Sequence, residues 1–173
     1  MHKFEINNRP YNSSRKVYAF QSGGAAEKRF RRAAETTGYV VTKTSRKVDI
    51  LKHVDFWLES GGKKWGVDVK GNNLPDEIWC EFQNVQGKPG WMYGVAKAIA
   101  FDMPEEGGFS VVSTAQLREW CEEHVSKEIV YDKKLAYRRR YNRRGNQDLI
   151  TKLFLSDLKL LPSYRVWEYF TDY

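Results

Sequence analysis

The stretch His53-Val54-Asp55-Phe56-Trp57-Leu58-Glu59-Ser60-Gly61-Gly62-Lys63-Lys64-Trp65-Gly66-Val67-Asp68-Val69-Lys70 decides the fold. Gly61 and Gly62 accept the positive φ angles of a two-residue hairpin loop, which residues carrying a Cβ resist. With that loop Ser60 faces Lys63, and the register follows: Val54 meets Val69, Phe56 meets Val67, and Leu58 meets Trp65. One face of the hairpin is then wholly apolar. A slip of one residue would turn that face to water, so the pattern itself supports the register. On the other face Glu59 meets Lys64, Trp57 meets Gly66, His53 meets Lys70, and Asp55 meets Asp68.

Directly opposed Cβ atoms lie only about 4.5–5.5 Å apart, so Asp55 and Asp68 repel each other. A hard divalent cation turns that repulsion into coordination, because Mg²⁺ prefers oxygen ligands. Lys70 follows Asp68 on the same face, roughly 6.6–6.8 Å along the strand. It places an ammonium where a water or a phosphate oxygen would stand. These are the parts of metal-assisted phosphodiester hydrolysis. Asp49 is a rival for the first acid, three residue pairs further out on the same face.

Working outward, residues 22–38 read as a helix. Ser22 is its candidate N-cap, Gly38 its terminator, and Ala26, Phe30, Ala33 and Ala34 its buried stripe. Residues 1–21 read as an extension with a short strand at Lys16–Phe20. Strands are expected at 54–59, 65–70, 78–83, 98–101 and 109–112. Residues 85–94 form a Gly/Pro-rich loop. Ser113 opens a helix, with Gln116 completing a capping box. A second hairpin is expected from 134–141 and 148–155, then a short helix from Ser156 stopped by Pro162. The expected organisation is an extension (1–21), an α/β core (22–130) and a basic C-terminal hairpin and helix packed on it (131–173).

With 41% hydrophobic and 14% aromatic residues the chain can build a core, which sets aside a disordered polymer. No apolar run reaches the ~18 residues of a membrane helix, and the N-terminus lacks the apolar stretch of a secretory signal. Cys80 and Cys121 make neither a CxxC pair nor a disulfide framework, so a reducing, cytoplasmic setting is expected. Net charge is +7 over residues 1–50, −5 over 51–130 and +5 over 131–173. Basic flanks around an acidic middle suit a polyanion binder with a cation site at its centre. Arg138, Arg139, Arg140, Arg143 and Arg144, between and beyond Tyr137 and Tyr141, are candidate phosphate contacts, as are Arg29 and Arg32 on the first helix. A solvated charge run is the plainer reading of the same arginines.

Helix acid Glu27, then Asp55, then Asp68-Val69-Lys70 on the next strand resembles the PD-(D/E)XK nuclease superfamily. Its small Holliday-junction-resolvase-like members look closest, and the stretch from Glu77 to Trp91 is similar to phage-encoded ones. His53-Val54-Asp55 lacks the proline of the superfamily's name. The resemblance spans residues 22–124. It implies a mixed central sheet flanked by helices, as in restriction endonucleases, and Mg²⁺-dependent cleavage of DNA, with Mn²⁺ able to substitute. It places the metal-binding acid at Asp55, the second acid at Asp68, the catalytic lysine at Lys70 and the helix acid at Glu27. The Val69 carbonyl would be a third metal ligand. Homodimers are expected, since cutting two strands takes two sites, and a phage-encoded enzyme would act in the host cytoplasm. Glu81 and Gln83 share a strand face that would continue the site. The loop with Gly87, Pro89, Gly90 and Trp91 would lie over it, and His53 would stand at its rim. The competing expectation is a nuclease-fold protein that binds branched or single-stranded nucleic acid without cutting it.

Overall fold

The computed structural model describes residues 13–72 and 74–170. Residues 1–12 of the expected extension lie outside them. The first helix, α1, runs Ser13–Thr36, so it passes through Ser22 and absorbs the strand expected at Lys16–Phe20. Gly23 and Gly24 weaken a helix by only ~1 kcal/mol each and do not stop it. Gly38 does terminate the turn, at φ +89°. Strand β1 (Val40–Lys43) and helix α2 (Arg46–Lys52) follow. Neither was expected, because each is short and neither has an apolar period long enough to read. Ser45 caps α2, and His53 ends it at φ +52°.

The decisive hairpin forms β2 (Phe56–Ser60) and β3 (Lys63–Lys70) in the expected register, with Phe56 opposite Val67 and Leu58 opposite Trp65. Then come β4 (Glu77–Gln83), a single 3-10 turn at Trp91–Tyr93, β5 (Ala98–Met103) and β6 (Gly108–Ser113). Helix α3 (Thr114–His124) is capped by the Ser113 hydroxyl, which accepts from Gln116 N–H. The other half of the expected capping box is redirected: Gln116 accepts from Ser163 N–H, and Ser113 N–H donates to the Ser163 hydroxyl. The chain ends with β7 (Ser126–Val130), β8 (Arg139–Tyr141), β9 (Leu149–Phe154), α4 (Leu155–Leu158) and β10 (Arg165–Glu168).

The fold is mixed α/β, built on two mixed sheets. A six-stranded sheet has the order β1-β2-β3-β5-β6-β10, and its β3–β5 pair is parallel. A four-stranded sheet has the order β4-β9-β8-β7. Ala26, Phe30 and Ala34 of α1 pack on one face of the large sheet, against Phe56, Leu58, Val67 and Phe109. The second sheet and α3 cover the opposite face, where Ile99, Phe101 and Val112 meet Ile78, Cys80, Leu153, Leu117 and Cys121. Among the described residues no helix is long and apolar enough to cross a membrane.

Residues 131–170 contribute to both sheets. β9 lies between β4 and β8, while β10 completes the far edge of the large sheet at β6. The C-terminal segment therefore shares both cores with residues 24–130 and is not simply laid on their surface. The 139–154 hairpin forms, but its own pairing is a single rung, Tyr141 to Ile150. Most of β9 pairs with β4.

Candidate functional site

The C-terminal end of β3 is where chemistry-bearing side chains gather. Asp55 and Asp68 are almost completely buried, at 5% and 2% exposure. The ladder stops one pair before they would oppose each other directly. Phe56 still faces Val67, but Asp55 N–H also reaches the Val67 carbonyl, at 2.9 Å. That one-residue departure, of the kind seen at a bulge, frees the Asp55 carboxylate to accept from Val69 N–H at 2.7 Å. A buried carboxylate gains a donor this way in place of a repelling twin. The carboxyls remain close enough for Asp55 to disfavour ionisation of Asp68.

Lys70 Nζ lies 2.8 Å from Asp68 Oδ2, and the Trp91 ring sits 5.1 Å from the same ammonium. Asp68 Oδ2 has no other partner, so this buried oxygen keeps accepting capacity beyond the Lys70 ion pair. Burial raises the Asp68 pKa to about 7; Lys70 opposes the shift and Asp55 adds to it. His53 is pushed below its ordinary value, by burial and then by Lys70, with Asp55 acting against both. His53 does not face Lys70 in the ladder as expected, because it ends α2 instead of extending β2.

Lys43 was not foreseen. Its ammonium pairs with Glu27 and lies 3.7 Å from Asp55 Oδ1. Glu27 therefore reaches the site through Lys43, from the face of the sheet that α1 covers. The rival acid Asp49 is also brought in. Burial raises its pKa, as does Asp55, while Lys43 and Lys70 lower it. α2 folds the chain back and places Asp49 nearer the pair than a continuous strand would. The run Val40-Val41-Thr42 after Gly38 was the available sequence signal for β1 and hence for Lys43.

Glu81 and Gln83 do share a face of β4, but β4 belongs to the second sheet, so they do not extend the site face of β3. Gln83 donates to the Gln147 carbonyl, and Glu81 accepts from Trp91 N–H at 3.3 Å. Glu81 thus helps set the Trp91 turn. The 85–94 loop does lie against the site, yet Trp91 is buried beside Phe101 and is not free to stack on a base.

The arginines are mostly engaged within the protein. Arg138 pairs with buried Asp157 at 2.6 Å, Arg140 with Glu122 at 3.2 Å, and Arg139 lies 3.9 Å from Glu128. Arg143 pairs with Asp148, which is fully buried. Arg29 pairs with buried Asp102, to which Tyr169 also donates. Arg144 and Arg32 are exposed, with no acidic partner among the described residues. Arg138, Arg140 and Arg143 are thus engaged in ion pairs with α4, α3 and the loop before β9.

Among the described residues no three His, Cys, Asp or Glu side chains converge closely enough to hold a metal alone. Mg²⁺ does not require that, since one or two carboxylates suffice when waters and a substrate phosphate supply the rest. Asp55 and Asp68 provide two hard carboxylates. The Val69 carbonyl points to the same side as its N–H, toward Asp55. With the unused capacity of Asp68 Oδ2, this donor set fits a hard divalent cation. No family model, curated protein or solved structure matches the chain.

Proposed function

We propose that this protein is a metal-dependent deoxyribonuclease that hydrolyses phosphodiester bonds. The observation that carries the reading is the convergence of buried Asp55 and Asp68 with Lys70 at the end of one central strand. Such an arrangement is costly to bury without a role, because two neighbouring carboxylates disfavour each other's charge. Asp55, Asp68 and the Val69 carbonyl would hold Mg²⁺ or Mn²⁺. A cation bound there supplies Lewis-acid polarisation of a phosphate and acidifies a water ligand.

The chain's own groups have separate parts in this reading. Lys70 orients the attacking water and offsets negative charge as the phosphate becomes five-coordinate. Trp91 restricts where the Lys70 ammonium can go. Lys43 holds Asp55 and Glu27 together, so it is a positioning residue. The reading gains no support from the arginine cluster, most of which is paired internally.

A single assay tests it: labelled DNA, as duplex, single strand, flap and four-way junction, incubated with Mg²⁺ or with EDTA. Mg²⁺-dependent cleavage that Asp68→Asn abolishes is the expected result. Binding without cleavage by the wild type, at any divalent ion supplied, would instead establish the non-cleaving nucleic-acid binder. Exposed lysines along α2 favour DNA contact in either case.

A further inference from the structure

Beside the candidate site runs a groove of about 350 Å³, walled by α2 on one side and the 84–95 loop on the other. Its volume falls at the low end of small-ligand sites, ~300–1,000 Å³. Its walls carry exposed apolar side chains, Leu51 at 68%, Ile50 at 62% and Val95 at 57% exposure, with Tyr93 beside them. The backbone that carries them is tied down. Val95 N–H donates to the Lys52 carbonyl, and Gly90 N–H to the Phe82 carbonyl. A Cβ on Gly94 would stand 2.7 Å from the His53 Cβ, so loop and helix end are in close contact. The groove is pre-formed.

We propose that this groove takes the base of an unpaired nucleotide, making single-stranded DNA the strand presented to the candidate site. Apolar walls receive the face of a base, and in a duplex that face is covered by its neighbours. Lys88 lines the groove and Lys52 flanks it, both exposed and both without an acidic partner among the described residues. They supply charge for the flanking phosphates. His53 lines the groove and ends α2 two residues before Asp55, so the groove lies beside the candidate site. A second copy of the chain is a poorer occupant: a two-fold contact here would bring Lys52 and Lys88 of both copies into one interface with no acidic partner for them on the groove walls. The placement of the scissile phosphate rests on the nuclease reading, whereas the groove's affinity for a base does not.

The test is fluorescence anisotropy in EDTA with labelled oligo-dT and with duplex DNA of equal length. The variant is Leu51→Ser combined with Val95→Ser, both exposed, with circular dichroism to confirm folding. Each substitution removes apolar surface that a base would cover, so oligo-dT affinity is expected to fall about 5- to 50-fold, with duplex affinity changed less than about twofold. Unchanged oligo-dT affinity in the variant would overturn the proposal, as would equal losses on both probes or a wild type that does not bind oligo-dT. A change of mass by light scattering with oligo-dT affinity intact would assign the groove to a second copy, and would overturn it too. Because binding is read in EDTA, oligo-dT binding at this groove by a protein that never cleaves would refute the nuclease reading alone.

Discussion

Asp68 bears the highest electrostatic cost among the residues of the site. Its pKa, about 7 against an ordinary 3.8, means that the folded protein holds a proton the unfolded chain releases between those values. Stability without metal therefore falls as pH rises from about 4 to 7, and the full cost remains above that range. Asp68→Asn removes the dependence. It is expected to melt higher than wild type near pH 8 in EDTA, by an amount that shrinks near pH 5, while losing metal-dependent cleavage. Calorimetry at the two pH values checks this, and a variant that melts below wild type near pH 8 would mean the carboxylate is structurally required. Lys70→Ala is expected to slow single-turnover cleavage at least about 10²-fold, with DNA affinity little changed. A collapse of affinity with an unchanged rate for bound DNA would reduce Lys70 to a phosphate contact. At this scale the sequence was informative for Asp55, Asp68 and Lys70, because one hairpin register relates all three. For Lys43 it offered only the short β-prone run Val40-Val41-Thr42, because the approach to Asp55 depends on a four-residue edge strand and on the departure from register at Asp55.

Elements are where expectation and structure part most. The β2–β3 hairpin was legible because a Gly-Gly loop and an alternating apolar face agree. The sheet to which β4 belongs was not, since its alternation shows only that one face is buried. Glu81 and Gln83 looked like continuations of the site for that reason. For arginines 138–144, density of charge in a sequence does not reveal the buried acids Asp148 and Asp157 that answer part of it. Arg143→Gln leaves Asp148 buried without its ion pair and is expected to cost about 1–3 kcal/mol of stability, read by urea denaturation. Arg144→Gln is expected to leave stability within about 0.5 kcal/mol. If Arg144 contacts a duplex phosphate, that substitution lowers the slope of log affinity against log salt by about 0.9. An unchanged slope would leave Arg144 as a solvated surface charge. The turn at Gly90 makes a sharper demand, since a Cβ there would lie 2.3 Å from the Glu81 carbonyl oxygen. Gly90→Ala is expected to lower stability by about 1–3 kcal/mol through forced backbone movement, and a wild-type denaturation midpoint would show that the loop yields freely.

For the whole molecule, the last described residues hold the first helix in place. Trp167 stacks on Phe30 and on Tyr39, and Tyr169 donates to the same buried Asp102 that pairs with Arg29. Ending the chain after Leu161 would uncover Phe30 and strip the large sheet of its edge strand. Such a truncation is expected to lose cooperative unfolding, and a sharp, wild-type-like thermal transition would contradict that. The sequence divided this region off by charge, but charge reports surface composition, whereas strand pairing here follows burial. The threading of residues 149–168 through both sheets also bears on synthesis. Neither sheet can close until those residues have left the ribosome, so a nascent chain lacks its finished scaffold however early the β2–β3 hairpin forms. A chain that cuts DNA would then be inactive throughout translation. Proteolysis of ribosome-stalled chains carrying C-terminal linkers of increasing length checks this directly: protection of the core is expected only when the linker lets residue 168 emerge, and protection with shorter linkers would show that the core closes without its last strands.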